Sequence, residues 1–461
     1  MRTGSGLNDG KSAARLKGGV APAYLFACLL LGGSAQGIWE NMLLQLAGIA
    51  IMAWLAISTS DEPIAPSAKF LIYLAIAAVV MVILQMIPLP ASLWGHGIRQ
   101  RILDGSAPAG QAVLHPLSLT PYASLDALLK LIPPLALFCW LARHREYRSE
   151  RLAWVLLAGT VAGIVLGVFQ VAGGDNGRWY LYSETNIGLG VGFFANVNHM
   201  GDLLVVAIPF VASLVAQART GFTQRSSTLM VVLPAIAILL LAGIALNHSL
   251  AAYGLAIPVC AASMLVLLKS GSPWRRIVIG IAGASMILSV AALVSSPVGA
   301  TKFGRDAATS VQSRKQILAT TGSAIRDFIP FGSGLGSFVK VYPLYERLDS
   351  VTTEYVIHAH DDYAELALEL GVPGLILLLS FLGWWSKAVW RVWMRPGMSP
   401  MAKAASIASA AILIHSLVDY PLRTAAISAC FAMCMALIAD PKNAVRRDEG
   451  DLWPTRHLVI G

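Results

Sequence analysis

The chain has 461 residues, of which 56% are hydrophobic and only 13% charged. A soluble globular protein carries about 25% charged residues, so a soluble fold is excluded. The formal net charge of +9 points to orientation in a bilayer, where cytoplasmic loops collect Lys and Arg, and not to nucleic acid.

Runs of about 20 apolar residues, each long enough to span a bilayer, recur along the chain. The basic, Gly-rich stretch up to Gly19 leads into an apolar run from Val20. It reads as an uncleaved first helix over 19–37; the other reading is a signal peptide cut near Gly33-Ser34-Ala35. Further helices are predicted at 40–58, 68–88, 124–142, 151–172, 199–217, 227–246, 249–269 and 276–296. A long segment, 297–370, separates these from helices at 371–392, 401–419 and 423–440. The expected fold is an all-α polytopic membrane protein with about 12 transmembrane helices. Its parts are 1–296 (helices one to nine), the loop 297–370, 371–440 (the last three helices) and a tail, 441–461. The cysteines Cys28, Cys139, Cys260, Cys430 and Cys434 all fall in apolar runs and read as packing residues.

Charge sets the expected orientation. With the N-terminus inside, most of the 34 basic residues fall on cytoplasmic segments and helix ends, among them Arg15, Lys17, Arg143, Arg148, Arg219, Arg275, Arg391, Lys403 and Arg447. Both termini are then cytoplasmic and 297–370 lies outside. That loop nevertheless holds Lys302, Arg305, Arg314, Lys315, Arg326, Lys340 and Arg347. Two readings stand: long loops translocate whatever their charge, or these cations serve an anion.

Polar groups at membrane depth are expensive and tend to be functional. Here they gather at the outer ends of helices: Asn196, Asn198, His199 and Asp202 before and within the sixth; His415, Asp419 and Arg423 around the end of the eleventh; Lys130 in the fourth; and His358, His360, Asp361 and Asp362 before the tenth. Residues 309–328 read as an amphipathic helix with Val311, Ile317, Leu318, Ala324, Ile325 and Phe328 on one arc. Arg314 falls inside that arc, Lys315 and Arg326 outside it. A sheltered guanidinium calls for an anionic partner; the alternative is snorkelling or a structural carboxylate. Pro330–Phe338 carries Gly332, Gly334 and Gly336, a pattern that suits either a phosphate cradle or a plain turn. Asp362 with Glu365 resembles a capping box, which sets His360 just before a helix start and makes its imidazole a candidate general base. His415 and Asp419 are four apart, so one helix face would carry both. Asp419 is expected to pair with a loop arginine and hold the loop, or else with Arg423. The His/Asp cluster has no helical His pair or Cys partner, so no metal is expected.

These residues resemble the O-antigen ligase / O-antigen (Wzy-type) polymerase superfamily of bacterial membrane glycosyltransferases. Three segments carry the likeness. Gly192-Phe-Phe-Ala-Asn196-Val-Asn198-His199 is similar to the family's G-x-F-x-N-x-N pattern. Ser313-Arg314 is followed by Asp327-Phe-Ile-Pro330 and the glycine loop. His360-Asp361, nine residues and Gly371-Val-Pro-Gly374 resemble the family's His, polar residue, nine residues and G-x-x-G. Two departures stand out. The polar residue after the His is Asp361, where the family usually has Asn, Ser or Gln. Leu189 occupies a position where ligases often carry Arg, which leaves Arg178 or Arg305 as the second arginine and favours a polymerase over a ligase.

The resemblance implies a GT-C-like fold in the bacterial inner membrane, with a periplasmic active site. It implies polymerisation or ligation of an undecaprenyl-diphosphate-linked glycan onto another glycan or lipid A-core. The transfer would be inverting, with no metal or other cofactor. His360 would be the base and Arg314 the main pyrophosphate contact, with Arg305 or Arg178 second. Asn196, Asn198, His199, Gly334, Gly336, His415 and Asp419 would bind substrate. A transporter or flippase is the rival class, since twelve helices is a common count there. Transporters bind near the midplane on interrupted helices, and the midplane here is nearly empty of charge. A non-catalytic assembly subunit is the other rival.

Overall fold

The computed structural model describes residues 5–58, 63–90, 97–106, 114–144, 149–174, 177–219, 224–269, 271–294, 302–348, 351 and 355–441. The helices are α1 Ser5–Leu31, α2 Trp39–Ile57, α3 Pro66–Met86, α4 Ile98–Ser106, α5 Pro121–Lys130, α6 Ile132–Arg143, α7 Ser149–Gly173, α8 Val197–Ala218, α9 Gln224–Asn247, α10 Leu250–Leu267, α11 Trp274–Val294, α12 Lys302–Phe328, α13 Phe338–Val341, α14 Asp362–Met394, α15 Pro400–His415 and α16 Ala425–Ala439. Strands β1 Pro88–Pro90 and β2 Leu114–Pro116 pair antiparallel, with Leu89 opposite His115. Each expected helix has a counterpart. Among the described residues nine helical stretches are long and apolar enough to cross a membrane, α5 and α6 counting as one, and three shorter apolar ones, Leu16–Leu31, Pro400–His415 and Ala425–Ala439, join them. The tail from 442 onward lies outside the described residues.

The bundle is built around α8. Of its apolar stretch 89% is buried, against 6% for α11, which marks α8 as the axis and α11 as a peripheral helix. Helices α7, α9, α10 and α15 pack on α8, and α16 packs on α1, α6 and α15. Polar side chains start these helices where the first N–H groups lack partners: Asn196 caps α8, Ser249 caps α10, Ser399 caps α15 and Thr424 caps α16.

The first helix runs Ser5–Leu31, against an expected 19–37, and α12 starts seven residues before the expected 309; three further departures bear on the site. The fourth helix is broken at Leu131 into α5 and α6, because Pro133 and Pro134 follow and cannot donate to the preceding turn. The tenth starts at Asp362 and turns sharply at Gly371, whose φ of 61° favours glycine; a Cβ there would strike the Pro330 carbonyl and the Gly332 amide. The eleventh ends at His415, so Asp419 lies in the following turn and not on the same helix face.

A second, smaller hydrophobic cluster sits at one end of the bundle. Ile317, Ala324 and Phe328 of α12 join Phe338, Val341, Tyr342, Ala359 and Leu368, with Ile98, Ile102 and Leu119 packed against them. The connection between α3 and α5 therefore shares this cap with the long loop. Gln85 donates to the carbonyls of Phe331 and Glu369 at 2.9 and 3.2 Å. Arg99, buried under the loop, donates to Leu117 at 2.7 Å and to the Gly332 carbonyl, with its guanidinium 5.4 Å from the Phe328 ring.

Candidate functional site

The capped end of the bundle brings together the start of α8, the Asn247–Ser249 turn, the start of α14 and the turn after α15. Asp361 ends the loop as the N-cap of α14, its carboxylate accepting from Tyr363 and Ala364 N–H. The cap is thus one residue earlier than the capping box predicts. Asp362 N–H donates to Ser416 O, Ser416 Oγ donates to Asp362 Oδ2 at 2.9 Å, and Tyr363 Oη donates to Leu413 O at 2.6 Å. These bonds fasten the start of α14 to the end of α15.

His360 stands just before that cap with a φ of 50°, in the left-handed region where a side chain other than glycine is strained. Its Nδ1 lies 3.2 Å from Asp419 Oδ1, the imidazole 29% exposed and the carboxylate fully buried. Asp419 also accepts from Asn198 Nδ2 at 2.6 Å and Tyr420 N–H at 3.0 Å. Burial alone would raise the Asp419 carboxyl. The His360 hydrogen bond and the charges of His360, His199 and His415 outweigh it and hold the group well below the usual carboxylate range. Among the described residues Asp419 therefore pairs with neither a loop arginine nor Arg423. Its partner is the proposed base.

Arg423 has its own partners. Its guanidinium reaches Asp362 at 3.6 Å, Glu365 at 3.2 Å and Glu369 at 3.3 Å, all on α14. Burial would lower its pKa, but these carboxylates raise it above the ordinary arginine value. His358 Nδ1 sits 3.0 Å from Glu365, and its ring lies 4.1 Å from that of Tyr420. The Tyr420 ring also meets His199 at 5.1 Å and His360 at 5.2 Å. Burial holds the Tyr420 hydroxyl protonated.

Other expected site residues fall as follows. Asn196 caps α8, and Asn198 is engaged by Asp419 and Ser249, so Asn198 supports the dyad; both asparagines are half-buried. His199 is buried beside Tyr420. His415 Nδ1 is 3.2 Å from Asp202 Oδ1, both fully buried. The glycine loop is a scaffold: Gly334 N–H donates to Glu369 O at 2.9 Å, Phe338 N–H to the Glu369 carboxylate at 3.2 Å, and a Cβ at Gly334 or Gly336 would collide with Ser118 or Ala123. Its amides at 334 and 338 are spent inside the protein, which removes the phosphate cradle. Lys130 pairs with Asp126 at 2.6 Å.

Arg314 follows the periodicity. Ile317, Thr321, Ala324 and Phe328 are buried on one side of α12, Arg314 is half-buried on that side, and Lys315 and Arg326 are exposed; Leu318, assigned to the same arc, is exposed. Arg178 is exposed in the connection between α7 and α8. Arg305 lies on the first turn of α12, and its side chain falls outside the described residues.

Sequence reasoning missed Ser249, Asn247, Glu369 and Arg99. Asn247-His248-Ser249 was visible as a short polar break between two apolar runs. Arg99 sits in Ile98-Arg-Gln-Arg-Ile102, where apolar residues four apart flank it.

No curated protein matches the chain. A family model described as O-antigen ligase matches residues 235–379, which span the Ser249 turn, Arg314, His360 and the kink at Gly371. The match covers about a third of the chain, and over that segment the chain is similar to the O-antigen ligase family.

Proposed function

We propose that the protein transfers a glycan from a lipid diphosphate, of the undecaprenyl kind, to a hydroxyl of another lipid-linked glycan or of lipid A-core. The observation that carries this reading is the His360–Asp419 dyad, part-open to solvent, at the end of the bundle where α12 presents Arg314. Asp419 is an anion and accepts from Nδ1–H, which leaves the Nε2 lone pair as base. Nε2 takes the proton of the acceptor hydroxyl as its oxygen attacks the anomeric carbon. The bond from that carbon to the pyrophosphate oxygen breaks, and configuration inverts. Arg314 meets the departing pyrophosphate with a fork of N–H donors, where charge develops. No step calls on a metal. The basic loops support cytoplasmic termini and a periplasmic position for this end of the bundle.

The test is transfer in vitro from a purified lipid-diphosphate-linked donor. His360→Ala should abolish transfer at unchanged membrane abundance, and full activity in that variant would overturn the mechanism. The surface glycan of a deletion strain separates the two acceptors. Lost chain length identifies a polymerase, and lost attachment to lipid A-core identifies a ligase.

A further inference from the structure

The dyad has a support that begins on a helix remote in sequence. Ser249 Oγ donates to Asn198 Oδ1 at 2.8 Å, Asn198 Nδ2 donates to Asp419 Oδ2 at 2.6 Å, and Asp419 Oδ1 faces His360 Nδ1 at 3.2 Å. The directions of these bonds follow from the groups themselves. An ionised carboxylate only accepts, so Asn198 must turn its NH₂ toward Asp419. Its carbonyl then faces Ser249, which must donate. The serine oxygen accepts in turn from Ala252 N–H at 3.2 Å, as the N-cap of α10. The single Ser249 proton is therefore committed to Asn198, and Ser249 itself is buried. Asn247, two residues earlier, donates to Gly190 O at 3.2 Å and Val197 O at 3.0 Å, fixing the turn against the start of α8.

We infer that Ser249 is a positioning residue for the base: through Asn198 and Asp419 it fixes the tautomer in which His360 Nε2 can take a proton. The inference rests on His360 being the base. It predicts a sign effect that a packing role would not. Ser249→Asp and Ser249→Gly both keep an acceptable N-cap, but neither can donate to Asn198. With Asp the amide rotates to donate to the new carboxylate and turns its carbonyl on Asp419. Asp419 then loses a donor, and its charge acts more fully on His360, favouring the imidazolium. The other groups facing His360 are Tyr420 from the same turn, His199 from α8, and His358 and Asp361 beside it; these are unchanged.

The experiment is the pH dependence of kcat, with KM and membrane abundance, for Ser249→Asp, Ser249→Gly, Ser249→Thr and His360→Ala. Asp and Gly should lower kcat roughly 10-fold, leave KM unchanged and move the acid limb of the profile to higher pH. Thr, which keeps the hydroxyl, should restore both. A wild-type kcat and acid limb in the Asp and Gly variants, with His360→Ala inactive, would overturn the role of Ser249 and leave the base in place. A loss uniform across pH that tracks abundance would reduce Ser249 to a helix cap and also overturn it. Activity in His360→Ala would remove the base reading itself.

Discussion

Asp419 and His360 form a pair in which each residue explains the other's environment. The imidazole keeps a buried carboxylate ionised, and the carboxylate orients the imidazole. Asp419→Asn should keep the fold but present an amide that either tautomer of His360 can satisfy, lowering transfer by about 10²- to 10⁴-fold, the usual worth of general-base catalysis. The measurement is kcat with membrane abundance as control. Asp419 has a depressed pKa, so its stabilising effect is full above the ordinary carboxyl pKa and fades only as pH falls through the lower folded value. Loss of activity on acidification near neutrality therefore does not come from Asp419. His358 should behave differently from His360. It supports Glu365 and Tyr420, so His358→Ala should reduce abundance more than turnover. Arg314→Lys should lose most activity, since a point charge cannot reproduce a guanidinium fork, while Lys315→Ala and Arg326→Ala on the exposed side of α12 change it little. Sequence spacing singled out His360 and Arg314. It misassigned Asp419, because pairing through a turn leaves no periodic trace. The departure at Asp361 has a local explanation: the position is an N-cap, and Asp fills that task as Asn or Ser does.

At the scale of elements, the start of α14 is the least forgiving piece. Asp362, Glu365 and Glu369 converge on one guanidinium, and removing one partner of a buried ion pair costs about 3–5 kcal/mol. Arg423→Gln should therefore lower thermal stability and abundance far more than Arg314→Ala, as read by the melting of the purified protein in detergent. Gly371→Ala should be similarly severe, because the left-handed kink and the contact with the Pro330 carbonyl both exclude a Cβ. The apolar runs made the helices legible. The break at Leu131 was marked by Pro133-Pro134, but the early end of α15 was not, since it rests on turn hydrogen bonds at 416–419 that leave no periodic trace. The short segment with Arg99 was passed over because its partner, the Gly332 carbonyl, is more than two hundred residues away.

Across the whole molecule, charge and function should segregate to opposite ends of the bundle. A periplasmic reporter fused at Ser337 and a cytoplasmic one at the C-terminus should both be active; a cytoplasmic signal at Ser337 would move the site to the other face. The smaller hydrophobic cluster under the loop is separate from the main core. Proteolysis should therefore release the cap at lower denaturant than it opens the bundle.

The ion pairs of Arg423 also impose an order on biosynthesis. When α14 emerges from the ribosome its three carboxylates have no arginine, because Arg423 follows α15. The nascent chain must keep that helix start in water, or on a helper, until the last two helices insert. A chain ending at Met394 should be cleared rapidly in a pulse-chase experiment, and supplying 395–461 as a separate polypeptide should slow that clearance. The α15–α16 hairpin then acts as a latch, closing the site only once Arg423 has been delivered to α14.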